Sequence, residues 1–163
     1  MAQDVLNALT LGSLYLLFAL GMSLAWGTIG ILNFAHGSIF MFAAFTAHLV
    51  VREVSLPMPV MLLIGVLGGA VLSLLVQLLV FEPIQRRAKD HRQAELQILV
   101  GGIGIAIVPL AIAQNRTGSV PFGYSNGSFR VDTYDLGFLR ISNVQIVTLV
   151  AAFGLALLIG WWL

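Results

Sequence analysis

Residues 5–51 read VLNALTLGSLYLLFALGMSLAWGTIGILNFAHGSIFMFAAFTAHLVV, forty-odd positions with no acidic, lysine or arginine side chain. The stretch falls into two apolar runs, 5–26 and 30–51, joined by the short GTIG. Each run has the length that carries an α-helix across about 30 Å of hydrocarbon at about 1.5 Å per residue. Early in the second run stand an asparagine and a histidine, Asn33 and His36, three positions apart in NFAHG. Their presence in an otherwise hydrocarbon setting is the first question the chain raises.

The rest of the chain repeats the pattern. Further apolar runs occupy 60–81, 96–113 and 141–163, so the reading is five membrane spans. Hydrophobic residues make up 59% of the 163 and charged residues 9%, whereas a water-soluble domain carries roughly a quarter charged residues. The expected fold is all-α: a polytopic integral membrane helix bundle forming one transmembrane domain. The formal net charge of +1 lacks the basic stripe of a nucleic-acid partner. With no cysteine there are neither disulfides nor thiolate metal sites. MAQDVLN has an acid and no base, unlike a secretory signal, so the first run is read as retained.

Orientation follows from the basic residues. The link 82–95, EPIQRRAKDHRQAE, holds Arg86, Arg87, Lys89 and Arg92, four of the eight Lys and Arg. Short links rich in Lys and Arg stay on the cytoplasmic side. Counting from there puts the N-terminus and segment 114–140 outside, and GTIG and residue 163 inside. Asn126 and Gly127 in YSNGSF have the chemistry of a tight hairpin turn or of an irregular loop.

On a helix spanning 30–51, Asn33 and His36 would lie about 60° apart and share a face. An unpartnered polar group in hydrocarbon costs several kcal/mol, so both are expected to face the protein interior. They either line a path, together with Gly37, or hydrogen-bond a neighbouring helix. In the third run, Gly65, Gly69 and Ser73 recur at four-residue spacing, a ridge for helix packing. In the fourth, LQILVGGIGIAIVPLAIA, Gly101, Gly102, Gly104 and Pro109 mark either a broken helix beside a binding site or a kinked continuous one. Glu82, Arg86 and Arg87 in the inner link are a topology-setting charge run or a docking surface.

Enzyme motifs are absent. The single lysine, in RRAKD, is no phosphate-binding loop, and there is neither HExxH nor GxSxG. No acid within the spans pairs with His36 as a proton relay would require. No cofactor is expected.

The run TLGSLYLLFALGMSLAWGTIGILNFAHGSIFMFAAF resembles the N-terminal signature of branched-chain amino-acid ABC transporter permeases. The matching positions are Gly12, Ser13, Tyr15, Gly21, Gly27, Gly30 and Asn33-Phe34-Ala35-His36-Gly37, with Met41 following. The similarity continues through Glu82, the basic link and the glycine-rich fourth run to about residue 115. It departs at EPIQRRAKDHR, where a Pro-Leu-Arg-like element is more typical, and is loose from about residue 115 to Arg140. The resemblance implies a prokaryotic inner-membrane permease subunit working by alternating access. It also implies a second permease subunit, two cytoplasmic ABC ATPases that hydrolyse the ATP, and an extracytoplasmic solute-binding protein. Family members run to nearly twice this length, with the ATPase-coupling loop following the span that corresponds to 141–163. The chain is therefore expected to be the N-terminal part of a longer permease. Rival readings are a sibling permease for urea, short amides or other amino acids, an ion or proton conductor using His36, and a membrane scaffold.

Overall fold

The first helix, α1 (Ala2–Ile29), ends where the backbone turns left-handed at Gly30, φ +72°, whose N–H donates to Trp26 O at 2.7 Å. Glycine takes that conformation without the steric cost other residues meet. The computed structural model describes residues 1–162 apart from 31, 55, 125–130 and 138, and apart from the side chains of Ile29 and His91. Four helices among the described residues are long and apolar enough to cross a membrane: Ala2–Thr28, Met58–Arg87, Arg92–Thr117 and Asn143–Trp162. A fifth, α2 (His36–Val51), is apolar but shorter. The all-α membrane architecture stands.

Packing divides the chain into two units, Ala25–Phe129 and Met1–Leu24 with Arg130–Leu163. In the first, α2 packs on α3 (Met58–Val76) and on α5 (His91–Thr117). Pro57 caps α3 and a second proline sits in its first turn, where a missing N–H costs nothing. The helix then passes through one π-helical turn, Gln77–Phe81, into α4 (Glu82–Arg87). A small core of Val76, Phe81 and Ile98 joins α3, the π turn and α5.

Side-chain caps set two helix starts. Asp90 accepts from Gln93 N at 2.7 Å while Lys89 N, one residue before the cap, donates to the Gln93 amide oxygen at 3.0 Å, opening α5. Ser142 and Gln145 form a reciprocal capping box, Ser142 N donating to Gln145 Oε1 at 2.9 Å and Gln145 N to Ser142 Oγ at 3.2 Å, opening α6 (Asn143–Trp162). The α5 helix runs unbroken through Pro109, so the fourth span is continuous. It closes at Gly118, φ +64°, whose N–H reaches Gln114 O.

In the second unit a short hairpin precedes α6. Strands β1 (Thr133–Asp135) and β2 (Arg140–Ser142) pair antiparallel, Tyr134 opposite Ile141. The turn uses Gly137 at φ +81°, held by Asp135 Oδ1 accepting from Gly137 N at 3.0 Å. Gln3 of α1 satisfies the open edge of β2: its side chain accepts from Arg140 N at 2.9 Å and donates to Arg140 O at 3.0 Å. The turn expected at Asn126 and Gly127 lies outside the described residues.

Candidate functional site

The second span corrects one expectation. Helix α2 starts at His36, not Gly30, and Asn33 stands in irregular backbone before it. The reason is local. Asn33 Oδ1 accepts from Ala35 N at 2.9 Å and Asn33 O accepts from His36 N at 3.1 Å, so the asparagine folds the chain into a turn. Short polar side chains offer backbone groups an alternative to the helix in this way. Asn33 and His36 therefore share a turn rather than a helix face, and both are half-buried.

This turn lies on α5. A Cβ added to Gly102 would sit 3.4 Å from Phe34 N, 3.6 Å from Ala35 N and 3.8 Å from Asn33 Oδ1. Ala35, 1% exposed, fills the contact. Gly102 stands near the middle of the apolar span Arg92–Thr117, about 16 Å along α5 from His91 at 1.5 Å per residue. Irregular backbone thus occurs alongside the middle of a membrane-length helix. At that depth it is tolerated only where protein covers it or where it lines a wet cavity.

The glycines do different work. Gly101 gives room to the π turn and α4, with Ile84 Cδ1 3.0 Å and Val80 Cγ1 3.5 Å from its added Cβ. Gly37 and Gly104 face open space. On α3, Gly65 and Gly69 meet Ala43, at 3.1 Å from its carbonyl oxygen and 3.0 Å from its Cβ. Ser73 is exposed and outside that seam, while Gly68, not singled out from sequence, is its tightest member: an added Cβ would fall 2.2 Å from Thr46 Oγ1 and 2.8 Å from Thr46 Cβ.

At the far end of α2 an aromatic group covers the helix. Phe122 rests 5.6 Å from Phe45 and 5.2 Å from His48, ring centre to ring centre, and Tyr124 donates its hydroxyl to Ala44 O at 2.9 Å. Burial raises the Tyr124 hydroxyl above its ordinary pKa. Since Ala35 meets Gly102 at one end and His48 meets Phe122 at the other, α2 and α5 run parallel. Glu82, Arg86 and Arg87 are brought together at the end of α4, where Leu78 and Pro83 complete a shallow open concavity of about 340 Å³. Arg86 is ion-paired to Glu82. Among the described residues no cluster of three or more His, Asp or Glu is placed to hold a metal.

A set of membrane-length helices with polar irregular backbone set beside one of them defines a polytopic membrane protein. Residues 5–163 match the family described as the branched-chain amino acid transport system permease component, and the chain belongs to it. It is 27% identical to the high-affinity branched-chain amino acid transport system permease protein BraD of Pseudomonas aeruginosa, over 97% of this chain and 54% of that protein. It is 39% identical to the permease protein LivH of Escherichia coli and of Salmonella typhimurium over 49 residues, 30% of this chain and 16% of each relative. The chain spans about half the length of BraD. No solved structure matches it. Members of this family are described as permease components of transport systems.

Proposed function

We propose that this chain forms part of the membrane subunit of an ABC importer for branched-chain amino acids, with the Asn33–His36 turn beside the solute path. The observation that carries the reading is the contact of that turn with Gly102 near mid-span. Breaks in regular backbone at this depth recur where transporters hold a solute, because freed peptide groups and short polar side chains there supply hydrogen bonds that a continuous helix keeps for itself. A zwitterionic amino acid needs such dipoles at its charged end and apolar walls at its side chain.

In this mechanism the binding protein delivers solute from outside, and two cytoplasmic ATPases rock this permease against a second one. Solute passes the Asn33–His36 turn as the path opens to alternate sides. The N-terminus and the hairpin face outward, and the 82–95 link faces the cytoplasm. His36, at the first position of α2, contributes a polar edge to the path; Gly101 and Gly104 keep α5 slim on either side of Gly102.

The test is ATP-driven leucine uptake by the full-length permease, reconstituted with its ATPases and binding protein. Asn33→Leu and His36→Leu are expected to lower uptake at least about tenfold at matched membrane levels, the loss of one or two hydrogen bonds to charged groups. Undiminished uptake in both would remove the turn from the path.

A further inference from the structure

The continuous helix Met58–Arg87 has 30 residues, about 45 Å at 1.5 Å per residue. Hydrocarbon accounts for about 30 Å of a bilayer and the headgroup layers bring the total to about 40–45 Å. Counting about 20 residues of hydrocarbon from Val60 reaches Leu79. The closing turns, α4, therefore stand at the level of lipid phosphates. The exposed leucines leading to them, Leu74, Leu75, Leu78 and Leu79, present an apolar wall at the depth of the upper acyl chain.

The concavity of about 340 Å³ joins these two environments, with Leu78 and Pro83 on its apolar side and Glu82, Arg86 and Arg87 on its polar side. The ion pair with Glu82 holds Arg86 in place and neutralises the carboxylate that would repel an anion. Arg87 forms no ion pair among the described residues, and the concavity keeps one net positive charge. The π turn at Gln77–Phe81 supplies Leu78 to it. Such insertions re-aim the turns that follow and are frequent at functional sites.

We infer that this concavity is a binding site for an anionic phospholipid, its phosphate against Arg86 and Arg87 and its glycerol and first acyl carbons along Leu78 and Pro83. A guanidinium pair matches a phosphodiester in charge and geometry, and arginine remains charged at every accessible pH. The inference needs only that Met58–Arg87 crosses the membrane; it stands whatever the transported solute.

Native mass spectrometry of the full-length protein, titrated with dioleoylphosphatidylglycerol or dioleoylphosphatidylcholine, tests it. The expected result is about fivefold tighter binding of the anionic lipid, the worth of one net basic charge at an anionic headgroup. The double variant R86Q/R87Q should abolish that preference. The control K89Q/R92Q removes as much charge outside the concavity and should keep it; unchanged helix content confirms that both variants fold. Equal binding of the two lipids would overturn the site, as would equal loss in both double variants, the sign of diffuse charge attraction. Displacement by millimolar inorganic phosphate would make the ligand a free anion instead. A preference that survives in R86Q/R87Q, with capture of the ATPase subunit lost, would assign the concavity to a protein partner.

Discussion

Asn33 and Gly102 meet across 3.8 Å, measured from the asparagine amide oxygen to the point where a side chain on the glycine would begin. The same Oδ1 already accepts from Ala35 N, so one atom both shapes the turn and rests against α5. The absence of a side chain at position 102 lets peptide groups, rather than methyls, approach the middle of the span.

Substitution at Gly102 should be graded by size. An alanine there makes contacts of 3.4 Å and more, which is ordinary packing, and is expected to change thermal stability in detergent little. Gly102→Leu must push the Phe34–Ala35 backbone away, an overpacking cost of about 1–3 kcal/mol. Leucine uptake by the full-length complex should then fall by at least about tenfold. If alanine and leucine behave alike, the turn does not depend on this contact.

The α2–α3 seam gives a second contrast. Gly68→Ala would drive a methyl within 2.8 Å of Thr46 Cβ, an atom close to the backbone that cannot swing away. A loss of about 1–3 kcal/mol is expected. Gly104→Ala meets nothing within 4 Å and should be neutral or stabilising by up to about 1 kcal/mol through helix propensity. Thermal or denaturant unfolding of the two variants side by side checks the order; equal effects would refute the seam.

These contrasts also mark what a sequence reader could and could not see. The spans are legible because hydrocarbon leaves a helix no alternative for its backbone bonds, so apolar length alone reports them. The start of α2 is not, because apolar length is blind to the competing bond from Asn33 Oδ1 to Ala35 N. Gly65 and Gly69 carry a spacing that points to packing, but Gly68, the tightest, follows from the angle at which Thr46 arrives. The hairpin has three-residue strands too short for a period, and its edge is completed by Gln3, distant in sequence. The N-cap Asp90 with Gln93 and the capping box Ser142-x-x-Gln145 were readable signals, and they fix the starts of α5 and α6.

The hairpin should loosen in acid. The Asp135 carboxyl is held below its ordinary pKa by the Gly137 N–H first, then by the Arg140 guanidinium. A depressed folded-state pKa means the ionised carboxylate favours the closed turn. Its contribution is complete above the ordinary aspartate value and is lost as pH falls through the lowered one. The Gly137 amide resonance should therefore titrate with a midpoint below that of a free aspartate, and Asp135→Asn should remove the titration. A midpoint above the free value would reverse the assignment.

Sidedness rests on α5 alone. In sequence its apolar span lies between the basic link, with Arg86, Arg87, Lys89 and Arg92, and the hairpin. Basic short links remain cytoplasmic, so the hairpin should face outward, on the side where a binding protein would dock. These 163 residues hold no cysteine, so with any cysteine elsewhere in the protein replaced, a single introduced thiol is a clean reporter. Leu136 is 58% exposed at the hairpin turn, and Leu136→Cys in the full-length protein should react with a membrane-impermeant maleimide in cells with a permeable outer envelope and an intact inner membrane. Lys89→Cys should react only after that membrane is opened. The opposite pattern would invert the topology and move the proposed binding-protein face to the α4 side. Labelling of both from outside would mean that α5 does not cross the membrane, and the placement of the Asn33–His36 turn beside a transmembrane path would fall with it.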